Sequence, residues 1–152
     1  RCLAGLCEMV TDPKTEVRDW VSFYLEGMIE NAEVPDERVI AALRRLVDDP
    51  DPTTRVQSLK GLAVTGDQTL VPRVADELGR DPLKQDLQWV DEVLDAAELL
   101  GSPDLLPALI SFRDRLAAYP RWAGWLHEAD QAIVACVRGL EAVKAAASEP
   151  NS

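Results

Sequence analysis

Residues Asp49–Asp67, DPDPTTRVQSLKGLAVTGD, form an acidic turn, a helix and a helix stop, in that order. Pro50 and Pro52 favour the turn, because a proline fixes its own φ and pushes the preceding residue out of the helical region. Gly66 can adopt the left-handed conformation that ends a helix. The apolar residues between them recur at three- and four-residue spacing, which places them on one side of the helix. These residues are Val56, Leu59, Leu62 and Ala63.

The same pattern recurs before and after this segment. Residues 12–18 (DPKTEVR) match residues 49–55 (DPDPTTR), which lie 37 positions later. The stop Gly66-Asp67, followed by LVP, returns 35 positions later as Gly101-Ser102, followed by LLP, and Asp81-Pro82 adds a third acid–proline turn. Self-similarity at this period, with two helices per unit, is typical of an α-solenoid. The alternative is an irregular helical bundle.

These units resemble HEAT repeats, whose most legible feature is a DPxxxVR join from turn to helix with a GD or GS end. The segments CLAGLCEMVTDP and RDW near the start also resemble uncharacterised bacterial HEAT-repeat proteins. The resemblance covers nearly the whole chain. It implies an all-α fold, a right-handed α–α superhelix of about four helix pairs. It predicts fold rather than function, since HEAT arrays serve as scaffolds, adaptors, lyase subunits and nucleic-acid binders.

Two positions depart from the repeat pattern. Val90 stands where the other units have Arg18 and Arg55, and Thr54 replaces the usual aliphatic residue. A ladder of arginines that pair with turn aspartates is therefore expected to be incomplete.

We expect one HEAT-repeat domain over residues 1–147 and a disordered tail at 148–152. The repeats are placed at about 1–30, 36–66, 68–101 and 103–147, and the last helix, at 123–147, is expected to act as a terminal cap. The core side of the first inner helix is predicted to comprise Val17, Trp20, Val21, Tyr24, Leu25 and Met28. That of the third inner helix is predicted to comprise Trp89, Val90, Val93, Ala96, Ala97 and Leu100.

The charge of the chain disfavours some partners. Its 152 residues carry a net charge of −11, with a pI of about 4.5. Proteins that bind duplexes or anionic lipid set Lys and Arg against phosphates, so we expect no nucleic acid and no membrane partner. No apolar run approaches the roughly 18 residues of a membrane span. We expect neither a membrane span nor a signal peptide.

The cysteines indicate the compartment. Cys2, Cys7 and Cys136 are odd in number and lack C-x-x-C spacing. Free thiols in a reducing cytosol fit them better than a disulfide framework or a zinc site. We therefore expect a cytoplasmic protein, with a monomer favoured although the sequence does not fix the oligomeric state.

The sequence contains no recognisable catalytic constellation. His127 is the only histidine and is interpreted as a helix-terminal or packing residue. Glycine elbows, phosphate-binding glycine loops and metal-spaced Cys or His clusters are all missing. We therefore expect no enzyme, no cofactor and no metal ion.

A surface pattern remains after these exclusions. Projection of the inner helices at about 100° per residue gives three columns that should line a concave groove. They are Asp19, Val56 and Asp91; Phe23, Lys60 and Asp95; and Glu26, Ala63 and Glu98. The binding residues predicted from these columns are Asp19, Phe23, Glu26, Lys60, Asp91, Asp95 and Glu98.

Two functional hypotheses follow, beside the possibility that these acids are simply a solvated face. The first is a non-enzymatic scaffold or adaptor that binds a protein or basic peptide along the acidic concave surface, with Phe23 as an apolar anchor. The second is a HEAT-like enzyme or lyase subunit that binds a small aromatic ligand or a modified base in a pocket partly lined by Trp20, Phe23 and Tyr24. An exposed aromatic pocket with a converging carboxylate would favour the second. Trp122 and Trp125 are expected to pack in the core or cap.

Overall fold

The computed structural model describes residues 2–148, and all regular structure in that range is helical. Short 3₁₀ segments precede or follow several helices. The eight α-helices are α1 Cys2–Glu8, α2 Thr15–Glu30, α3 Glu37–Leu46, α4 Pro52–Ala63, α5 Val71–Leu78, α6 Leu87–Leu100, α7 Leu106–Ala117 and α8 Leu126–Ser148. The all-α prediction is confirmed. Ser148 still belongs to α8, and the other residues of the predicted tail lie outside the described range.

Aspartates begin three of the described α-helices. The carboxylates of Asp36, Asp51 and Asp86 accept the backbone N–H groups of the first turns of α3, α4 and α6. This satisfies donors that have no partner within a helix. At the other end of the α4 unit, Gly66 adopts a φ of +74°, so the predicted left-handed stop is confirmed.

The even-numbered helices pack against one another in chain order. Helix α4 lies between α2 and α6, and α6 in turn contacts α8. The odd-numbered helices cover this row: α3 contacts α2 and α4, α5 contacts α6 and α7, and α7 contacts α8. Helix α4 therefore has neighbours on both flanks, and this position decides which of its residues are buried. A superhelix and its hand remain predictions.

The core runs through the contacts between these two sets of helices. Trp89, Phe112 and Trp122 are its largest fully buried side chains. All six residues predicted for the core side of the third inner helix are buried, which confirms that part of the register. Trp122 is also confirmed as a core residue, and the partly buried Trp125 packs against it edge to face.

The predicted core face of α2 is only half right. Val21 and Leu25 are buried and Val17 is partly buried against the core, whereas Trp20 and Tyr24 are 60% and 56% exposed. Ile29, which was not predicted, continues the buried stripe. Met28, one turn after Tyr24, is exposed as well. The two stripes lie about 100° apart on the helix, and in the described part of the chain no helix covers the second one. The prediction was wrong for that stripe because apolar character alone does not reveal whether a neighbour is present.

Two arginines make equivalent contacts in successive units. Nη1 of Arg18 donates to the carbonyl oxygen of Asp12 at 2.9 Å, and Nη1 of Arg55 donates to that of Asp49 at 2.8 Å. Their carboxylate partners differ, since Arg18 pairs with a turn aspartate, Asp49, and Arg55 pairs with Glu77 of α5. The 37-residue repeat is thus preserved in the hydrogen bonds to the turn.

In the third unit, which lacks the arginine, a tryptophan side chain contacts Glu77. Val90 is buried in the core, and the indole Nε1 of its neighbour Trp89 donates to Oε2 of Glu77 at 3.2 Å. Thr54 is also buried, with its hydroxyl donating to Asp51 at 2.9 Å. A buried hydroxyl with a partner is tolerated where an aliphatic residue is usual.

Candidate functional site

One lysine and four carboxylates meet where α2, α4 and α6 lie side by side. Nζ of Lys60 on α4 lies 2.8 Å from Oε1 of Glu26 and 3.7 Å from Oε1 of Glu30, both on α2. On the α6 side it lies 3.0 Å from Oε2 of Glu92 and 3.4 Å from Oδ2 of Asp95. We call these five residues the Lys60 cluster. Only one cation serves four anions, so the cluster retains negative charge.

Burial sets the protonation behaviour of this cluster. Burial, together with nearby acids, raises the pKa of Glu26 to about 7 despite its contact with Lys60. The pKa of Glu92 is also raised, chiefly by burial. Burial opposes the charge of Lys60 itself, but its contacts with Glu26 and Glu92 outweigh that effect and raise its pKa. Lys60 therefore stays charged, and Glu26 changes its protonation state near neutral pH.

A glycine allows the helices to approach closely at the cluster. A Cβ at Gly61 would lie 3.0 Å from Cδ1 of Leu43 and 3.3 Å from Cα of Glu26. Both distances are tighter than ordinary van der Waals contact. The absence of a side chain at position 61 therefore lets α4 lie close to α2, which brings Lys60 next to Glu26.

A small pocket lies towards the N-terminal ends of the same helices. It has a volume of about 250 Å³ and is lined by Asp19, Trp20, Phe23, Gln57 and Gln88. The side chains come from α2, α4 and α6. We call it the Asp19 pocket.

Two larger cavities lie further along the same helices. One, of about 590 Å³, shares Phe23 with the Asp19 pocket and is lined also by Tyr24, Met28 and four members of the Lys60 cluster. The other has a volume of about 570 Å³. It shares Glu30 and Lys60 with the 590 Å³ cavity and extends to Asp95 and Glu98. Together the three cavities run along α2, α4 and α6, and we call them the acidic cleft.

Exposed aromatic rings border the cleft on α2. Trp20, Phe23 and Tyr24 are each more than half exposed. Their ring centroids lie 5.8 to 6.4 Å apart, with Trp20 stacked on Tyr24 and Phe23 edge-on to both. We call them the aromatic cluster. Because the rings contact one another, no planar group fits between them.

Most of the predicted binding residues line the acidic cleft, although no ligand tests their role. Asp91 is exposed beside the cleft on α6 without lining any of the three cavities. The predicted residues that do line a cavity are Asp19, Phe23, Glu26, Lys60, Asp95 and Glu98.

Two column positions do not face the groove. Val56 and Ala63 are buried in the core, so their predicted exposure was wrong. Helix α4 contacts α2 and α6 on its two flanks, and positions that are exposed on a helix with one neighbour are covered on a helix with two.

Several residues of the cleft were missed in the sequence. Glu30, Gln57, Gln88 and Glu92 were not among the predicted binding residues, although all four line it. A signal was present for two of them, because Gln57 and Glu92 lie 35 positions apart and interrupt otherwise apolar helix faces. Both are buried.

A second group of charges, on the other helix layer, is already neutralised. A cavity of about 330 Å³ contains Arg55, Arg73 and Arg80. Arg55 and Arg80 both pair with Glu77, and Arg73 pairs with Asp48. Asp49 and Asp76 line the same cavity, so four carboxylates face the three guanidinium groups. These arginines therefore offer little free charge for an anionic ligand.

Other kinds of site find no support within residues 2–148. No group of three His, Cys, Asp or Glu side chains is arranged there to hold a metal ion. His127 is exposed, and none of the described helices combines the length and apolar character that a bilayer crossing requires.

Comparison with known proteins gives no relative. No family model matches the chain, and neither the curated proteins nor the solved structures contain a significant match.

Proposed function

We propose that the protein is a non-enzymatic binding module of the HEAT-like solenoid kind, in which the acidic cleft holds a basic peptide or a basic segment of a partner protein. The observation that carries this proposal is the excess of carboxylates over cations in the Lys60 cluster. Four carboxylates lie within 4 Å of one ammonium, and two of them are buried. A cationic partner would supply the charge that the fold leaves unmatched.

The cleft has the features of a preformed peptide site. Its walls are helices that pack on a common core, so a bound segment would not have to order them. The acids would steer a cationic segment and raise its association rate, while the exposed Phe23 would give it an apolar anchor. The order in which the even-numbered helices pack supports the solenoid interpretation.

Charge reversal tests the proposal. We expect a fluorescein-labelled hexalysine peptide to bind the native protein, with an affinity that falls as salt rises because the charges are screened. The variant Asp91→Lys/Asp95→Lys/Glu98→Lys should keep its helical circular-dichroism spectrum and lose this binding.

The matched control is Glu8→Lys/Asp114→Lys/Glu141→Lys, which makes the same change in net charge at exposed residues outside the cleft. It should retain most of the affinity. Equal losses in the two variants would show that only net charge matters and would contradict a defined site. Failure of the native protein to bind the peptide would contradict the proposal itself.

A second candidate is supported by one observation. The Asp19 pocket is an exposed aromatic pocket into which a carboxylate converges, as expected for a subunit that binds a small aromatic ligand or a modified base. The mutual contact of Trp20, Phe23 and Tyr24 weighs against it, because a planar ligand could stack only on their outer faces. Titration with biliverdin tests this candidate, since a bound bilin would change its absorption spectrum and Trp20→Ala would abolish the change.

A further inference from the structure

We propose that the Asp19 pocket is an arginine subsite, which receives the guanidinium group of an arginine side chain from the segment bound in the acidic cleft. This inference rests on the proposed function and names the group recognised at one end of the cleft. Its basis is a carboxylate that the protein buries in part and leaves without a cation, between aromatic walls.

The carboxylate of Asp19 has no partner among the described residues. Its Oδ1 is buried without a hydrogen bond, and no Lys, Arg or His side chain of residues 2–148 forms an ion pair with it. Burial raises the pKa of Asp19, and the nearby carboxylates of Asp51 and Asp86 raise it further. Each of these influences disfavours the anion, so a cation from outside would be strongly attracted.

The neighbouring arginine does not supply that cation. Arg18 precedes Asp19 in the chain, but its Nε and Nη2 donate to Asp49 and its Nη1 donates to the carbonyl oxygen of Asp12. All three nitrogens thus already have acceptors other than Asp19. Arg18 is next to Asp19 in the sequence, but its guanidinium group binds Asp49 and Asp12 instead.

The walls of the pocket suit a flat cation. Trp20 and Phe23 line it with their ring planes at 88° to each other. A guanidinium group can stack on such a ring and at the same time donate two parallel hydrogen bonds to a carboxylate. The ammonium of lysine is a more strongly hydrated point charge without the planar fork, so it would gain less here.

Two amides complete the pocket. Gln57 is buried, and its Oε1 accepts one hydrogen bond from the hydroxyl of Ser22 at 2.5 Å. A carbonyl oxygen has two lone pairs, so Oε1 can accept a further donor. Gln88 is exposed at the rim and offers another carbonyl oxygen. A guanidinium group has five N–H donors, which these oxygens and Asp19 could share.

The position of the pocket fits an extended partner. It shares Phe23 with the cavity that leads to the Lys60 cluster. A segment with an arginine in the Asp19 pocket would therefore continue towards Glu30, Asp95 and Glu98, where further basic residues would be matched.

The test uses two short probes, acetyl-Gly-Arg-Gly-amide and acetyl-Gly-Lys-Gly-amide, titrated into the full chain and followed by NMR. We expect the arginine probe to shift the indole N–H signal of Trp20 and the side-chain amide signals of Gln57 and Gln88. The lysine probe should bind roughly tenfold more weakly, because it cannot form the two-point hydrogen bond.

The decisive variant is Asp19→Asn, which removes the charge while keeping the size of the side chain. It should weaken the arginine probe roughly tenfold, abolish the preference for arginine over lysine, and leave the melting temperature unchanged or raised. The matched control is Asp114→Asn, an exposed acid on α7 outside the cleft, which should leave the preference intact.

The outcomes separate this inference from the proposed function. If the two probes bind equally, or if Asp19→Asn weakens both to the same extent, the arginine subsite is wrong, whereas binding of hexalysine by the cleft would still stand. If hexalysine does not bind while the arginine probe shifts the pocket signals, the subsite stands and the extended cleft is wrong. If the pocket signals do not shift with the arginine probe, the subsite is wrong.

Discussion

Arg18 and Asp49 form a two-point ion pair that joins α2 to the turn between α3 and α4. Nε of Arg18 lies 2.6 Å from Oδ2 of Asp49, and Nη2 lies 3.0 Å from Oδ1. The two side chains are only 11% and 5% exposed. Since Nη1 also binds the carbonyl oxygen of Asp12, one guanidinium group fixes two successive acid–proline turns. This pair links the sequence repeat directly to the packing of the helices.

Replacement of Arg18 should therefore be costly. We expect Arg18→Gln to lower the free energy of unfolding by about 3 kcal/mol, because it leaves the buried carboxylate of Asp49 unpaired. Urea denaturation at pH 7 measures this loss. The control is Arg44→Gln: the Arg44 side chain is 59% exposed, and its pair with Asp67 should contribute less than about 1 kcal/mol. Equal effects of the two substitutions would contradict a structural role for the Arg18–Asp49 pair.

Acid should weaken the same contact. Burial opposes ionisation of Asp49, but its hydrogen bonds from Arg18 and from the backbone of Asp51 outweigh burial and lower its pKa. The stabilisation is complete above the unfolded pKa of about 4 and is lost as pH falls through the lower folded value. Arg18→Gln should accordingly unfold with less sensitivity to pH below about 4. An unchanged pH profile in this range would show that the pair does not contribute to acid unfolding.

Removal of the central ammonium should destabilise the protein. Lys60→Met leaves Glu26 and Glu92 facing each other without a cation, and we expect a loss of about 3 kcal/mol in urea denaturation at pH 8. The compensated variant Glu26→Gln/Lys60→Met/Glu92→Gln should recover most of that loss, since no buried charge is left unpaired. If Lys60→Met alone is as stable as the native protein, the two glutamates are not held against Lys60.

Glu26 should make stability depend on pH near neutrality. Its pKa in the folded protein is raised to about 7 from an ordinary value of 4.5, so the folded state retains a proton that the unfolded state has released. The contribution of Glu26 to the free energy of unfolding should therefore be largest below pH 4.5 and should decline as pH rises to about 7. Glu26→Gln should flatten this part of the profile, measured by thermal unfolding at several pH values. An unchanged slope would assign the effect to another group.

The helix register can be tested at one core residue. Leu62 on α4 is fully buried, and Leu62→Ala should lower the free energy of unfolding by about 2 to 5 kcal/mol, because it removes apolar contact and leaves a cavity. The control is Val64→Ala, two positions along at a partly exposed site, where the loss should be clearly smaller. A loss below about 0.5 kcal/mol at Leu62 would place this residue outside the core.

The sequence predicted the helices well because the signals that begin and end them are local. Acid–proline turns and Gly66 act within a few residues, and the predicted left-handed stop at Gly66 is confirmed. The core of α6 was also predicted correctly, since its apolar stripe is covered on both flanks.

The errors arose where the outcome depends on neighbouring helices. Trp20 and Tyr24 have the periodicity of core residues but are exposed on α2, whereas Val56 and Ala63 were expected in the groove but are buried on α4. Periodicity gives the side of a helix on which a residue lies, not how many neighbours that helix has. For the same reason Glu92 was missed, because its role depends on Lys60 of another helix.

The most direct test of the acidic cleft is a map of where a basic peptide binds. Hexa-arginine would be titrated into the isotope-labelled protein, and changes in the backbone and side-chain signals would be followed by two-dimensional NMR. We expect the changes to concentrate along α2, α4 and α6, from Asp19 and Phe23 to Asp95 and Glu98. Changes spread evenly over the exposed acids of all helices, or concentrated on α7 and the end of α8, would contradict it.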